Sequence, residues 1–93
     1  MYQTAKAFAR FVASGAIAAA DTKKNLKGIK INALSGDSTV SLYDAQGTTV
    51  AQRFYSSHQQ PGVALPFEPL CYLIRDGGYV EITGSAEVFL YFS

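Results

Sequence analysis

The stretch Asp76-Gly77-Gly78-Tyr79-Val80-Glu81-Ile82-Thr83-Gly84-Ser85-Ala86-Glu87-Val88-Phe89-Leu90-Tyr91-Phe92 holds the pattern that decides the fold. Asp76-Gly77-Gly78 reads as a tight hairpin turn, because glycine reaches positive φ at little cost. Residues 79–83 alternate and are rich in β-branched and aromatic side chains, which predicts a strand. Gly84-Ser85 predicts a second turn, and residues 87–92 a final strand. In that final strand Val88, Leu90 and Phe92 share one face and point to a core. Phe89 and Tyr91 then project from the other face. A strand that is apolar on both faces is ordinarily covered on both. Another chain, or the N-terminal segment folding over, is expected to cover Phe89 and Tyr91.

Working outward, the same alternation recurs upstream. Residues 27–34 place Ile29, Ile31 and Ala33 on one face. Ser35-Gly36-Asp37-Ser38 is a turn cluster. Residues 39–43 place Val40 and Leu42 inward, and Asp44-Ala45-Gln46-Gly47 ends that strand. Residues 48–55 are β-rich, with Val50 and Phe54 on one side. Residues 56–62 are polar, include Pro61 and read as a loop. Val63, Leu65 and Phe67 alternate, and Pro66 confines that strand to an edge or a bulge. Residues 70–74 form a short apolar run. Short strands with turn signals at this spacing predict an antiparallel sandwich or barrel of about seven or eight strands.

Residues 4–20 are less decisive. Alanine favours helix there, but Gly15 interrupts the run and no 3.6-residue stripe separates apolar from polar positions. Two strands, about 5–13 and 15–20, are expected, with a helix over 4–20 as the competitor. Lys6 and Arg10 followed by an apolar run resemble a signal peptide only superficially, since Ser14-Gly15 breaks the run. No stretch approaches the ~20 apolar residues of a membrane-spanning helix.

The chain has 93 residues, of which 48% are hydrophobic and only 16% charged. A protein of this mass buries about two thirds of its unfolded surface, enough for one thin core and a single domain over residues 1–93. The hydrophobic content argues against intrinsic disorder. The net charge of +1 argues against nucleic acid or anionic membrane as the main partner. The charges are segregated, however. Lys6, Arg10, Lys23, Lys24, Lys27 and Lys30 oppose Asp21 alone in residues 1–30, a net of +5. Residues 31–93 carry a net of −4. Such asymmetry either steers head-to-tail contact between identical subunits or is mixed over one surface by the fold.

Catalytic and metal chemistry find little support. The single Cys excludes an intrachain disulfide and an all-Cys metal site, and the single His excludes His-rich ligation. His58, in Ser56-Ser57-His58-Gln59-Gln60, reads as a solvated loop histidine, because a nucleophilic triad is built in space and not from adjacent residues. Cys71, in Leu70-Cys71-Tyr72-Leu73, reads as a buried, inert thiol. Asp76 is turn chemistry, and Glu81 and Glu87 alternate outward. No glycine-rich phosphate loop is present, and Lys23-Lys24-Asn25-Leu26-Lys27 lacks the interleaved aromatics of a nucleic-acid site. The expectation is a non-enzymatic structural or binding module with no cofactor and no metal.

The layout also bears a resemblance. Leu26-Lys27-Gly28-Ile29-Lys30-Ile31-Asn32, Thr39-Val40-Ser41-Leu42-Tyr43-Asp44, Gly47 and the stretch from Gly77 to Val88 together resemble small virion proteins of tailed phages, over roughly residues 26–92. The likeness lies in β-branched and glycine positions and includes no catalytic motif. It implies an all-β, antiparallel, jelly-roll-like β-sandwich. It further implies an oligomeric protein on the outside of a capsid or in the neck or tail, without choosing between those places. The leading expectation is a capsid decoration or cement protein, made in the host cytoplasm and carried on the capsid exterior. Such a protein would bind the major capsid protein or another virion protein as a homo-oligomer, a trimer by preference, with neither nucleic acid nor membrane as partner. A neck or tail connector and a receptor- or carbohydrate-binding module of a tail fibre are the alternatives. The interface candidates are Tyr2, Lys6, Phe8, Arg10 and Phe11 of a possible N-terminal assembly arm (residues 1–20), with Phe89 and Tyr91. Lys6 and Arg10 are expected to meet acidic strands of a neighbouring subunit or of the shell.

Overall fold

The computed structural model describes residues 7–60 and 64–93. The described residues form an all-β, antiparallel fold of six strands. They are β1 (Ala7–Phe11), β2 (Gly15–Ala16), β3 (Lys24–Ala45), β4 (Arg53–Gln59), β5 (Ala64–Ile74) and β6 (Gly77–Phe92), with a short 3-10 turn at Val50–Gln52. The helix considered for residues 4–20 is not formed over the described part of that segment.

The count is six and not seven or eight because three expected breaks lie inside strands, one each in β3, β5 and β6. The 22-residue β3 and the 16-residue β6 run antiparallel from Leu26 opposite Phe92 to Ala45 opposite Gly77. Ser35-Gly36-Asp37-Ser38 and Gly84-Ser85 are irregularities within this ribbon. From Ala33 to Thr39, β3 advances six residues while β6 covers the three from Ala86 to Thr83. The odd excess inverts side-chain parity on β3. Ile29, Ile31 and Ala33 are therefore buried before the bend, and Val40 and Leu42 after it. On β6 the even positions Val80, Ala86, Val88, Leu90 and Phe92 are buried throughout. Side chains from both ends meet in one core, so the ribbon folds over itself as a sandwich. At the crease Gly84 has φ +92, and a Cβ there would fall on the Asp37 carbonyl oxygen and lie 3.0 Å from Ser38 Cα. Only a residue without a side chain permits β3 and β6 to approach so closely.

The remaining strands flank this ribbon. One half of the sandwich is ordered β1-β6-β3-β5 and the other β2-β6-β3-β4. Among the described residues β5 is an edge strand, and Pro66 falls where its register on β3 shifts, so both the edge and the bulge expected for Pro66 are met. It is continuous through Pro66 and Pro69, where two separate pieces were expected. The strand expected at 48–55 begins instead at Arg53, and Val50 is exposed. The expected loop at 56–62 is strand as far as Gln59, so His58 sits on β4. Between β1 and β2, the Ser14 hydroxyl accepts a hydrogen bond from the Ile82 N–H at 2.8 Å. It thereby takes the place of a ladder bond where the two short strands leave a gap on β6.

Candidate interaction face

The two outer faces of the sandwich differ in chemistry. On the β2-β6-β3-β4 half, cross-strand polar pairs alternate with the inward Val40 and Leu42. Thr39 Oγ1 is 3.1 Å from His58 Nδ1, Ser41 Oγ is 3.1 Å from Ser56 Oγ, and Tyr43 donates to Glu81 Oε1 at 2.6 Å. The bond to Glu81 and burial both raise the Tyr43 phenol above its ordinary pKa. His58 Nε2 lies 3.7 Å from the Asp37 carboxylate, with both side chains exposed. Three polar pairs thus bridge the strands of this face, and Ser41 and Tyr43 are themselves buried.

The outer face of the β1-β6-β3-β5 half is aromatic. Phe8 on β1 lies directly opposite Tyr91 on β6, their ring centroids 6.0 Å apart and 30° from parallel. Phe89, its diagonal neighbour, is at 6.2 Å and 43°. Phe67 on β5 meets Tyr91 edge-on, at 5.1 Å and 71°. Between those two rings lies Gly28 on β3, which faces Tyr91 on one side and Pro69 on the other. A Cβ at Gly28 would overlap the Phe67 ring. The glycine therefore leaves a slot in the sheet surface, and the Phe67 ring fills it. Pairs of this geometry add about 0.5–1.5 kcal/mol each beyond area burial.

A charged border adjoins the rings. Arg10 Nε donates to Glu87 Oε2 at 2.5 Å, and Asn32 Nδ2 donates to Glu87 Oε1 at 3.0 Å. The Asn32 amide first, then the Arg10 guanidinium, hold the Glu87 carboxyl below the usual carboxylate range, and Lys30 adds in the same direction. Arg10 is half exposed, so the pair mainly orients side chains and contributes little stability. Lys30 sits opposite Phe89. An apolar aromatic centre with a charged rim is the anatomy of a protein–protein contact. Phe8 at 62% and Phe67 at 49% exposure leave together roughly 200 Å² of ring surface to solvent.

The interface candidates fall into three groups. Phe8, Arg10, Phe89 and Tyr91 come together on this face. Phe11 alternates the other way and packs against the core with Ala9. Tyr2 and Lys6 lie outside the described residues. Arg10 meets Glu87 of its own chain, because β1 pairs beside β6 and brings the two side chains together. β1 therefore does not fold over Phe89 and Tyr91; it lies next to them and extends the aromatic row.

Phe67 and Asn32 were not among the candidates. Counting back from the buried Ile74 through Tyr72, Leu70 and Glu68 puts Phe67, Pro69, Cys71 and Leu73 on the outer face. That parity was the available signal for Phe67. It also corrects Cys71, which is exposed and not buried. An apolar run on an edge strand still alternates, and Cys71 falls on the solvent side. Among the described residues no group of three or more His, Cys, Asp or Glu is arranged to hold a metal ion.

The described residues thus define an all-β, sandwich-like module with one polar and one aromatic outer face. Comparison with known protein families, with curated proteins and with solved structures found no match.

Proposed function

We propose that this chain is a non-enzymatic structural protein of a tailed-phage virion, a decoration or cement protein that binds the assembled shell as a homo-oligomer. The observation that supports this most is the aromatic face of Phe8, Phe67, Phe89 and Tyr91, left open among the described residues of a small domain. The phage-like layout of residues 26–92 supports the choice of partner. Binding the assembled shell but not its free subunits stabilises the shell by mass action, by RT ln(1 + [L]/Kd). Aromatic anchors with a charged rim suit that role, since a few such residues carry most of the energy of a contact.

Co-sedimentation with capsids of the phage that encodes the chain tests the proposal. Phe8→Ser and Phe67→Ser alter exposed rings, so the fold is expected to persist by circular dichroism. Capsid affinity is expected to fall by about tenfold or more for each. Undiminished capsid binding by both variants overturns the assignment of this face, and failure of the unaltered chain to bind capsids overturns the function.

A further inference from the structure

The strand edges, like the faces, are not equivalent. Among the described residues β5 pairs only with β3, but Pro66 and Pro69 remove two of its backbone donors. It is also tied to β4 across the sandwich. Phe54 of β4 stacks on Tyr72 of β5 at 3.9 Å and 6°, and Tyr55 of β4 donates to Glu68 of β5 at 3.1 Å. These contacts tie the two edge strands β4 and β5 together, although the outer backbone edge of β4 also has no strand partner among the described residues. On the opposite side β2 has only two residues. β1 remains: five residues without proline, paired in full register with β6 and, among the described residues, with nothing on its outer edge.

Resting on the homo-oligomeric reading above, the geometry points to β1 as the contact between two copies of this chain, joined edge to edge in an antiparallel pair. When an edge meets the same edge of a second copy, the contact is self-complementary and has a two-fold axis. The smallest oligomer is then a dimer and not the expected trimer. With the axis at Ala9, the midpoint of β1, Phe8 of one copy lies opposite Arg10 of the second. Both belong to the outer face, so a guanidinium meets a phenyl ring on each side of the axis. This register favours a second copy over an unrelated strand, because β1 supplies both members of each pair. The two aromatic faces become one surface across the joined sheet, and the docking area offered to the shell doubles.

Cysteine pairing reads the register directly. On a Cys71→Ser background, which removes the exposed native thiol, the variants Phe8→Cys and Arg10→Cys are oxidised separately and as an equimolar mixture. The mixture is expected to form covalent dimer, at twice the 10.0 kDa chain mass, about tenfold faster than either variant alone, since only the 8–10 pair meets disulfide geometry. Equal cross-linking of each variant with itself overturns the register, and no cross-linking in any sample overturns the contact. Hydrogen exchange on the unaltered chain gives the independent measurement. Amides of residues 7–11 are expected to slow by about tenfold or more from nanomolar to high micromolar concentration, in step with a monomer-to-dimer transition in light scattering. A concentration-independent monomer, or a trimer, refutes the proposal. A β1-linked dimer that does not sediment with capsids refutes only the virion function, and capsid binding by a monomeric chain refutes only the dimer.

Discussion

Gly84→Ala tests the crease that turns one long ribbon into a sandwich. Gly84 has φ +92, and its missing Cβ would fall on the Asp37 carbonyl oxygen. Holding alanine at positive φ costs ~1–2 kcal/mol. The clash is with backbone, which cannot rotate away as a side chain can. Separating the strands to relieve it costs about 1–3 kcal/mol more, in the range of other locally strained sites. A total near 3 kcal/mol is a large share of the ~5–15 kcal/mol expected for a domain. At ~4–8 °C per kcal/mol for this size, the melting temperature falls by roughly 12–24 °C. Gly36→Ala is the control. Gly36 also has positive φ, +65, but a Cβ there would meet nothing within 4 Å. Only the backbone cost applies, so its melting temperature should lie at least about 5 °C above that of Gly84→Ala. The assay is thermal unfolding by circular dichroism, repeated in urea to confirm an unchanged m-value. Equal melting temperatures for the two variants would refute close approach of β3 and β6 at the crease.

Three further expectations concern ionisable groups. The Glu87 carboxyl is held below its ordinary range by Asn32 and Arg10. The stability it contributes is therefore present above the unfolded carboxylate pKa and lost as pH falls through the folded one; Glu87→Gln should flatten the acid limb of a melting-temperature profile below about pH 5. Burial pushes the Tyr55 phenol up to about 12, with Glu68 adding to the shift. Its contribution is complete below the unfolded pKa near 10 and lost as pH rises from there through about 12, so Tyr55→Phe should lessen alkaline destabilisation, and ultraviolet titration should show a late-ionising tyrosine. Cys71 is exposed on β5; an aromatic disulfide reagent should label it in the native state, and Cys71→Ala should change stability by no more than about 0.5 kcal/mol.

Alternation was the legible part of the site. Val88, Leu90 and Phe92 are buried, while Phe89 and Tyr91 stand on the opposite face, as a period of two dictates. The neighbours of Phe89 and Tyr91 were not legible. Phe8 comes from the other end of the chain, Phe67 enters through a slot that only the Gly28 backbone leaves open, and Asn32 reaches Glu87 from β3. These are contacts between strands, and local periodicity holds no record of which strand lies beside which. Phe11 shows the same limit. Its aromatic character suits an interface or a core equally, and the register of β1 on β6 turned it inward.

Composition and period-two patterning by themselves determined that this chain is all-β and antiparallel, with Ile29, Ile31, Ala33, Val40, Leu42, Val88, Leu90 and Phe92 in the core. These properties depend on single residues and their near neighbours. Tertiary structure alone decided that Ser35-Gly36-Asp37-Ser38 and Gly84-Ser85 bend strands and do not end them. A glycine-rich tetrapeptide fits a turn and a bulge equally well. The distinction rests on whether the flanking segments find partners on the same neighbouring strand. Here β3 and β6 do so on both sides of the crease, and the three extra residues on β3 reverse its parity so that both halves of the ribbon bury their apolar faces against each other.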